Sequence, residues 1–386
     1  LVSRARAEAS SAAPADDASE LISPAGSHRG EATAFEDRGE GVSVDHLAPV
    51  LEGLGDMLSR SADEGRTCAG FAHQEIATTW LASSTGLRLR HTQPAARLEV
   101  SARGASGAGS AWAGAEARDL SEVSLDSLES RLVKGLSWSD RHVDLPAGRY
   151  EAVLPKEVVA DLVIMIEWSL SGRSAEEGRS VFSAPGGGTK VGERLSGLDF
   201  ELYGDPSEPE LRCAPFLAAP GTSADVSVFD NGLGISRTGW ITKGCLSQLC
   251  YHRAGARRFG TTAAAPVDNL ILDLPGAEAS LDELVARTGR GLLLTCLWYI
   301  REVDPSTLLL TGLTRDGVYL VEKGEVVGAV NNFRFNESPL DVLSRTIEAG
   351  ASQPALSREW GEHRPRTAMP PLHVDGFNMS SVSPAI

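Results

Sequence analysis

The segment from Tyr150 to Gly172 constrains the fold of this chain most. Tyr150–Leu154 has the composition of a strand. Pro155 suits the first turn of a helix, where its missing N–H is no loss, and Val158, Val159, Leu162, Val163 and Ile166 then recur as one apolar stripe. The spacing predicts a helix to about Leu170, with Gly172 as its stop. Leu162–Ile166 is the longest apolar run in the chain and is far too short to span a bilayer.

On both sides of this helix the pattern is one of short strands and turns. The 40 Gly and 20 Pro, set against 6% aromatic residues, fit many sheet connections better than a long helical bundle. The reading is α+β: mixed and antiparallel sheets with a central helix. Residues 1–43 read as an N-terminal remnant and linker, 44–150 as an α+β region, 151–350 as a strand-rich C-terminal domain, and 351–386 as its tail.

Within the first region, Ser3–Ala9 reads as the tail of a helix and Ser10–Glu40 as a linker or long surface loop. Val44–Ser59 carries Leu47, Val50, Leu51, Leu54 and Leu58 at helical spacing. Cys68–Leu81 and Leu87–His91 predict strands joined at Ser83–Gly86, Arg97–Ala102 a further strand, Gly104–Gly109 a loop and Leu120–Leu136 a helix. Residues 183–222 are loop-rich. Val226–Asp230, Gly239–Thr242, Leu270–Leu274, Leu292–Trp298, Leu308–Gly312, Val318–Glu322, Glu325–Val330 and Leu372–Val374 predict strands, and Lys323-Gly324 a hairpin turn. Ser280 and Glu283 form a capping box, Gly289 fits that helix's C-terminal cap, and Ser338-Pro339 opens a helix to about Ile347.

Asp and Glu outnumber Lys and Arg by 52 to 36, a net charge of −16. Nucleic acids and anionic membranes are both met by basic surfaces, so the balance argues against either as a partner. The five cysteines (Cys68, Cys213, Cys245, Cys250 and Cys296) are odd in number and form no C-x-x-C, which reads as reduced, mostly buried thiols of a cytoplasmic protein. No apolar signal-peptide core follows the N-terminus.

Motifs for chemistry are sparse. No two of the eight His residues lie three or four apart, so no helix offers a His pair to one metal. His73-Gln74-Glu75 is the H-x-E half of a deaminase signature, but Cys245 and Cys250 cannot supply the P-C-x-x-C half; a strand with alternating faces fits better. Gly186-Gly187-Gly188-Thr189-Lys190 lacks phosphate-loop spacing and reads as a flexible loop, which could also flank a peptide cleft. There is no G-x-S-x-G elbow. Cys250 has His252 and Arg253 nearby but sits among Leu246, Leu249 and Tyr251, as a core thiol does. Glu167 and Trp168 close the apolar helix, where a carboxylate faces water, caps a neighbour or marks the remnant of a site.

Several ordered segments resemble one family: 83–94 (SSTGLRLRHTQP), 178–183 (GRSVFS), 191–195 (VGERL), 266–270 (PVDNL), 291–295 (GLLLT), 299–317 (YIREVDPSTLLLTGLTRDG) and 330–340 (VNNFRFNESPL). From roughly residue 45 onward the chain resembles the TldD/PmbA family, of the modulator of DNA gyrase type, and most of all its actinobacterial TldE-type members. The resemblance implies a two-part architecture and a TldD–TldE heterodimer that encloses a cavity and cleaves extended, unfolded or modified peptides. In the TldD-type subunit a helix with H-E-x-x-x-H and a cysteine near the C-terminus bind zinc.

Counting back from Ser180-Val181-Phe182 puts that motif near Val163, Ile164 and Glu167, and the tail from Thr367 to Ser383 has no Cys. The resemblance therefore implies a TldE/PmbA-like, non-catalytic subunit: no catalytic residue, metal or cofactor in this chain, zinc in a TldD-like partner, and a share of the peptide cavity. Arg301, Arg334 and Asn336 flank the family-like strands and are the candidate contacts to peptide or partner; surface or interdomain pairing is their other reading. Family members usually carry a further α/β segment before the region matching residue 1, which suggests a truncated chain or a late start. A stand-alone metal-dependent hydrolase using Glu167 and distant His residues, and a peptide-binding scaffold without catalysis, stay open as alternatives.

Overall fold

A computed structural model describes residues 2–25, 35–37, 39, 41–104, 109–315 and 317–384. Helices α1 (Val2–Ser11) and α2 (Val44–Asp63) precede strands β1 (Thr67–Ala82), β2 (Arg88–Arg103) and β3 (Ser110–Ala117), then α3 (Leu125–Trp138). Strands β4 (His142–Val143) and β5 (Gly148–Leu154) lead into α4 (Lys156–Trp168) and α5 (Gly172–Glu176). Next come β6 (Glu201–Gly204), β7 (Thr238–Thr242), β8 (Cys245–Leu246), α6 (Arg253–Phe259), β9 (Leu270–Asp273) and α7 (Leu281–Arg287). A run of strands follows: β10 (Arg290–Leu294), β11 (Leu297–Asp304), β12 (Leu309–Thr314), β13 (Val318–Glu322), β14 (Glu325–Val330) and β15 (Phe333–Glu337). The chain ends through α8 (Pro339–Ser344), β16 (Thr346–Ala349), β17 (Gln353–Pro354), β18 (Thr367–Met369) and β19 (Leu372–Val382).

The architecture is α+β with three sheets. β1, β2 and β3 form an antiparallel sheet of their own. A ten-stranded mixed sheet runs β11-β12-β15-β19-β5-β10-β13-β14-β4, with β16 attached to β19, and a six-stranded one runs β17-β18-β9-β6-β7-β8. Among the described strands the parallel pairs are β5/β10, β4/β14 and β9/β18.

Helix α4 packs against β5 of the large sheet and against β9 and β18 of the smaller one. Every residue from Glu157 to Glu167 is consequently buried, which replaces the expected single stripe: a helix covered on two sides by sheets has no solvent face. Pro155 is extended (ψ 159°) and caps the helix rather than opening its first turn. The helix stops at Ser169, and Gly172 instead begins α5; a Cβ there would lie 2.2 Å from the Tyr251 ring, so this glycine serves close packing.

Elsewhere the structure redraws several expected elements. Leu87–His91 and Arg97–Ala102 are one continuous strand, β2, which passes through Pro94. Pairing with β3 begins only at Ala96, so Pro94 sits where β2 has an open edge and removes no ladder bond there. The helix expected from Leu120 is a 3-10 turn, Leu120–Glu122, followed by α3 with Ser124 as its cap. Val226–Asp230 is not a strand: the Ser227 side chain accepts from the Phe229 amide and closes a 3-10 turn. Leu292–Trp298 breaks after Leu294 into β10 and β11. Gly289 is not a cap, since α7 ends on Thr288 in extended conformation. The Ser280–Glu283 capping box is present, and Lys323 and Gly324 both adopt positive φ, as a tight hairpin turn requires.

One face of the three-stranded sheet packs Leu98, Val100 and Ala102 against Met57 of α2 and Leu128 and Leu132 of α3. The tip of the β1–β2 hairpin rests on the C-terminal part through Leu87, Leu89 and Phe216. Part of the segment read as linker is tied down there: Asp17 accepts from Thr222 (2.7 Å) and Ser227 (2.6 Å), and Arg253 donates to the Glu20 carbonyl (2.6 Å). The remainder of that segment, at 26–34, 38 and 40, and residues 105–108 of the expected loop lie outside the described residues. No helix among the described residues is long and apolar enough to cross a membrane.

Candidate functional site

Helix α4 delivers Val163, Ile164 and Glu167 to the interior, where the two aliphatic side chains belong to the main core. The Glu167 carboxylate is engaged by Arg364 through two contacts, Nε to Oε2 at 2.7 Å and Nη2 to Oε1. Arg364 also donates to the Val267 carbonyl (3.2 Å) and to Asp268 (3.3 Å), and Asp268 pairs with Arg366. Burial, with Arg366 alongside, lowers the Arg364 guanidinium to about 10, so it remains charged at neutral pH. The bidentate geometry suits the planar fork of Arg and satisfies both carboxylate oxygens. Trp168, next in sequence, meets Trp360 edge to face at 5.0 Å.

The residues that close over α4 come from one strap, 357–366. Asp161 is fully buried mid-helix; its Oδ1 accepts from the Ser357 hydroxyl (2.5 Å) and the Glu359 amide (3.0 Å), while its backbone carbonyl accepts from the Trp360 indole (3.0 Å). Its Oδ2 has no hydrogen-bond partner among the described residues, and burial raises the carboxyl to about 7. Arg358 lies 5.4 Å from each of the Trp112 and Trp298 ring centres, which joins β3 to β11, and its guanidinium also touches Cys296. Glu359 accepts from the amides of Tyr299 and Ile300 (3.1 Å each). Asp161 was readable as a signal, because a lone carboxylate inside an apolar helical run demands a partner; the strap residues carried no pattern.

The structure brings Arg301, Arg334 and Asn336 onto one outward face at the β11 end of the large sheet. Register places Arg301 opposite Thr311, Thr311 opposite Asn336, and Leu313 opposite Arg334. Arg301 already pairs with Glu359 (3.2 Å) and covers the Tyr299 ring at 4.3 Å. Arg334 is exposed, and among the described residues its side chain reaches only the Thr311 hydroxyl (3.3 Å). The Asn336 carbonyl oxygen accepts from Asn378 (3.0 Å), and its side-chain Oδ1 is buried without a partner among the described residues. Of the other motifs, His73 and Glu75 are exposed on β1, and Gly186–Gly188 form a loop with all three φ positive and open space around each. Cys250 is buried, and burial pushes its thiol far above the usual range.

The α4 positions do not fit a metal. Val163 and Ile164 have no lone pairs to donate, and both oxygens of Glu167 are held by a cation. Among the described residues no three His, Cys, Asp or Glu side chains are grouped as metal ligands.

This arrangement, a buried helix between two mixed sheets with a separate three-stranded module, is shared by solved proteins. TldE from Thermococcus kodakarensis superposes with a TM-score of 0.76 at 15% identity, covering 98% of this chain and 83% of that one. A protein described as a candidate modulator of DNA gyrase from Thermotoga maritima gives 0.72 at 17% identity, over 87% of this chain and 74% of that one. Another so described, from Bacteroides thetaiotaomicron, gives 0.71 at 15% identity, over 97% and 80%. These likenesses define the fold class. The sequence profile of the PmbA/TldA metallopeptidase C-terminal domain matches residues 147–381, more than half of the chain. The chain belongs to the PmbA/TldD family. Among curated proteins no sequence relative matches.

Proposed function

We propose that this chain is a TldE-like, non-catalytic subunit of a heterodimeric zinc metallopeptidase acting on extended or modified peptides. The observation that carries the reading is the Glu167–Arg364 pair: a guanidinium occupies the carboxylate that the family resemblance aligns with the metal motif. Zinc belongs to the TldD-like partner on this reading, and this chain supplies a wall of the peptide cavity. The outward face with Arg301, Arg334 and Asn336 is a suitable contact for partner or peptide, since it combines charge, amide and hydroxyl groups on adjacent strands. Five cysteines outside any disulfide fit a reducing, cytoplasmic setting.

The test is peptide hydrolysis by this chain alone, by a TldD-type partner alone and by the two together, each with and without a chelator. Activity confined to the mixture and removed by the chelator is expected. Chelator-sensitive hydrolysis by this chain alone would overturn the reading.

A further inference from the structure

The three-stranded sheet turns its second face toward the C-terminal sheets. Alternation along β3 puts Trp112, Gly114 and Glu116 on that face, and register sets Arg97 of β2 opposite Glu116. Two clefts open beneath it, of about 700 and about 730 Å³, and the Arg131–Glu157 ion pair (2.8 Å) lines both. Either alone falls in the range of a small-molecule pocket, roughly 300–1,000 Å³, and the two adjoin through their shared lining. The result is a trough with Lys156 and Gln353 common to both halves.

Among the described residues, one carboxyl of the trough that is not exposed, Glu116, has no partner. Arg97 is held by Glu99 (3.4 Å) and Glu362 (3.1 Å), and Arg366 by Asp268. Asp268 also meets Arg364, which Glu167 already engages. These contacts leave Glu116 over: it makes no hydrogen bond or ion pair with any described residue, although Arg97 and Arg366 lie close enough to act on it through space. Burial outweighs both cations and pushes its carboxyl up to about 8. Nearby, the Lys156 ammonium has one hydrogen-bond partner among the described residues, the Gln353 side chain (3.4 Å). Strand β17 (Gln353–Pro354) is the terminal strand of the six-stranded sheet and both its residues are exposed, so the outward Pro354 carbonyl is open to an amide of an extended chain.

We propose that this trough binds an extended peptide segment and seats a cationic side chain or terminus of it on Glu116. The ligand's positive charge supplies the balance that a proton on Glu116 otherwise provides. The site rests on this chain's own residues and stands or falls without a second subunit.

The probe is a short, unstructured, fluorescein-labelled Gly/Ala peptide with one central Lys, compared with the same peptide carrying norleucine. With the full chain, the Lys peptide is expected to bind about tenfold more tightly. Because Glu116 faces Arg97 from β2 and Arg366 and Asp268 from the C-terminal part, its ionisation sets the pH response. Affinity for the Lys peptide is expected to rise from about pH 6 to about pH 9, where Lys stays charged. Glu116→Gln should remove both the discrimination and the rise, while Lys156→Met should keep the discrimination. Equal binding of the two peptides, no saturable binding, or discrimination that survives Glu116→Gln overturns the proposal. The wild-type comparison decides the matter even if a variant fails to fold.

Discussion

Asp161, in the middle of the buried helix α4, accepts the hydroxyl of Ser357 at 2.5 Å and so anchors the strap that closes over the helix. A carboxyl raised by burial from 3.8 to about 7 binds its proton more tightly in the folded chain than in the unfolded one. The associated stability is therefore fully present below about pH 4 and is lost as pH rises through about 7. Asp161→Asn keeps Oδ1 as acceptor for Ser357 and the Glu359 amide but cannot ionise. It is expected to flatten the fall in melting temperature between about pH 5 and pH 8, and to exceed wild type by about 1 kcal/mol or more at the upper end. Thermal denaturation across that range checks it; parallel curves for the two proteins count against a titrating Asp161.

The Glu167–Arg364 pair calls for a different experiment, because both partners are charged and almost fully enclosed. Arg364→Met leaves Glu167 buried without its cation and is expected to cost about 3–5 kcal/mol. Glu167→Leu with Arg364→Met removes both charges and should cost much less than the sum of the single changes, with Asp268 still held by Arg366. A double-mutant cycle by denaturant unfolding measures the coupling. Additive costs would mean that the pair is not the unit described.

How much of this was legible beforehand follows from where the information lies. The central helix, the Lys323-Gly324 turn and the Ser280 capping box are local patterns, and local patterns survive in sequence. Burial of α4 on all sides was not legible, because it comes from β9 and β18, which are distant in the chain. β2 read as two strands, Leu87–His91 and Arg97–Ala102, and the open edge that tolerates Pro94 between them depends on where β3 ends. The strap at 357–366 read as polar tail: its residues have no periodicity, and each one matters through a partner far away, Arg358 with Trp112 and Arg364 with Glu167. Glu116 had no motif at all, and its isolation shows only when its neighbours are seen to be paired with other groups.

Arg334 is the cleanest probe of the outward sheet face. Arg301 is a poor one, since its charge already answers Glu359 and its change would disturb the strap. Arg334 is exposed, and its one side-chain hydrogen bond among the described residues, to the Thr311 hydroxyl at 3.3 Å, is of a kind that contributes little at a surface. Arg334→Glu should therefore shift stability by no more than about 0.5 kcal/mol. If this face meets a TldD-type subunit, reversing a charge within the contact should weaken association by about tenfold or more and lower the mixture's peptide hydrolysis in step. Analytical ultracentrifugation of the mixed chains, beside the melting curve of Arg334→Glu alone, separates the two effects. Unchanged association with an unchanged fold would move the subunit contact to another surface and leave Arg334 as an ordinary solvated side chain on β15.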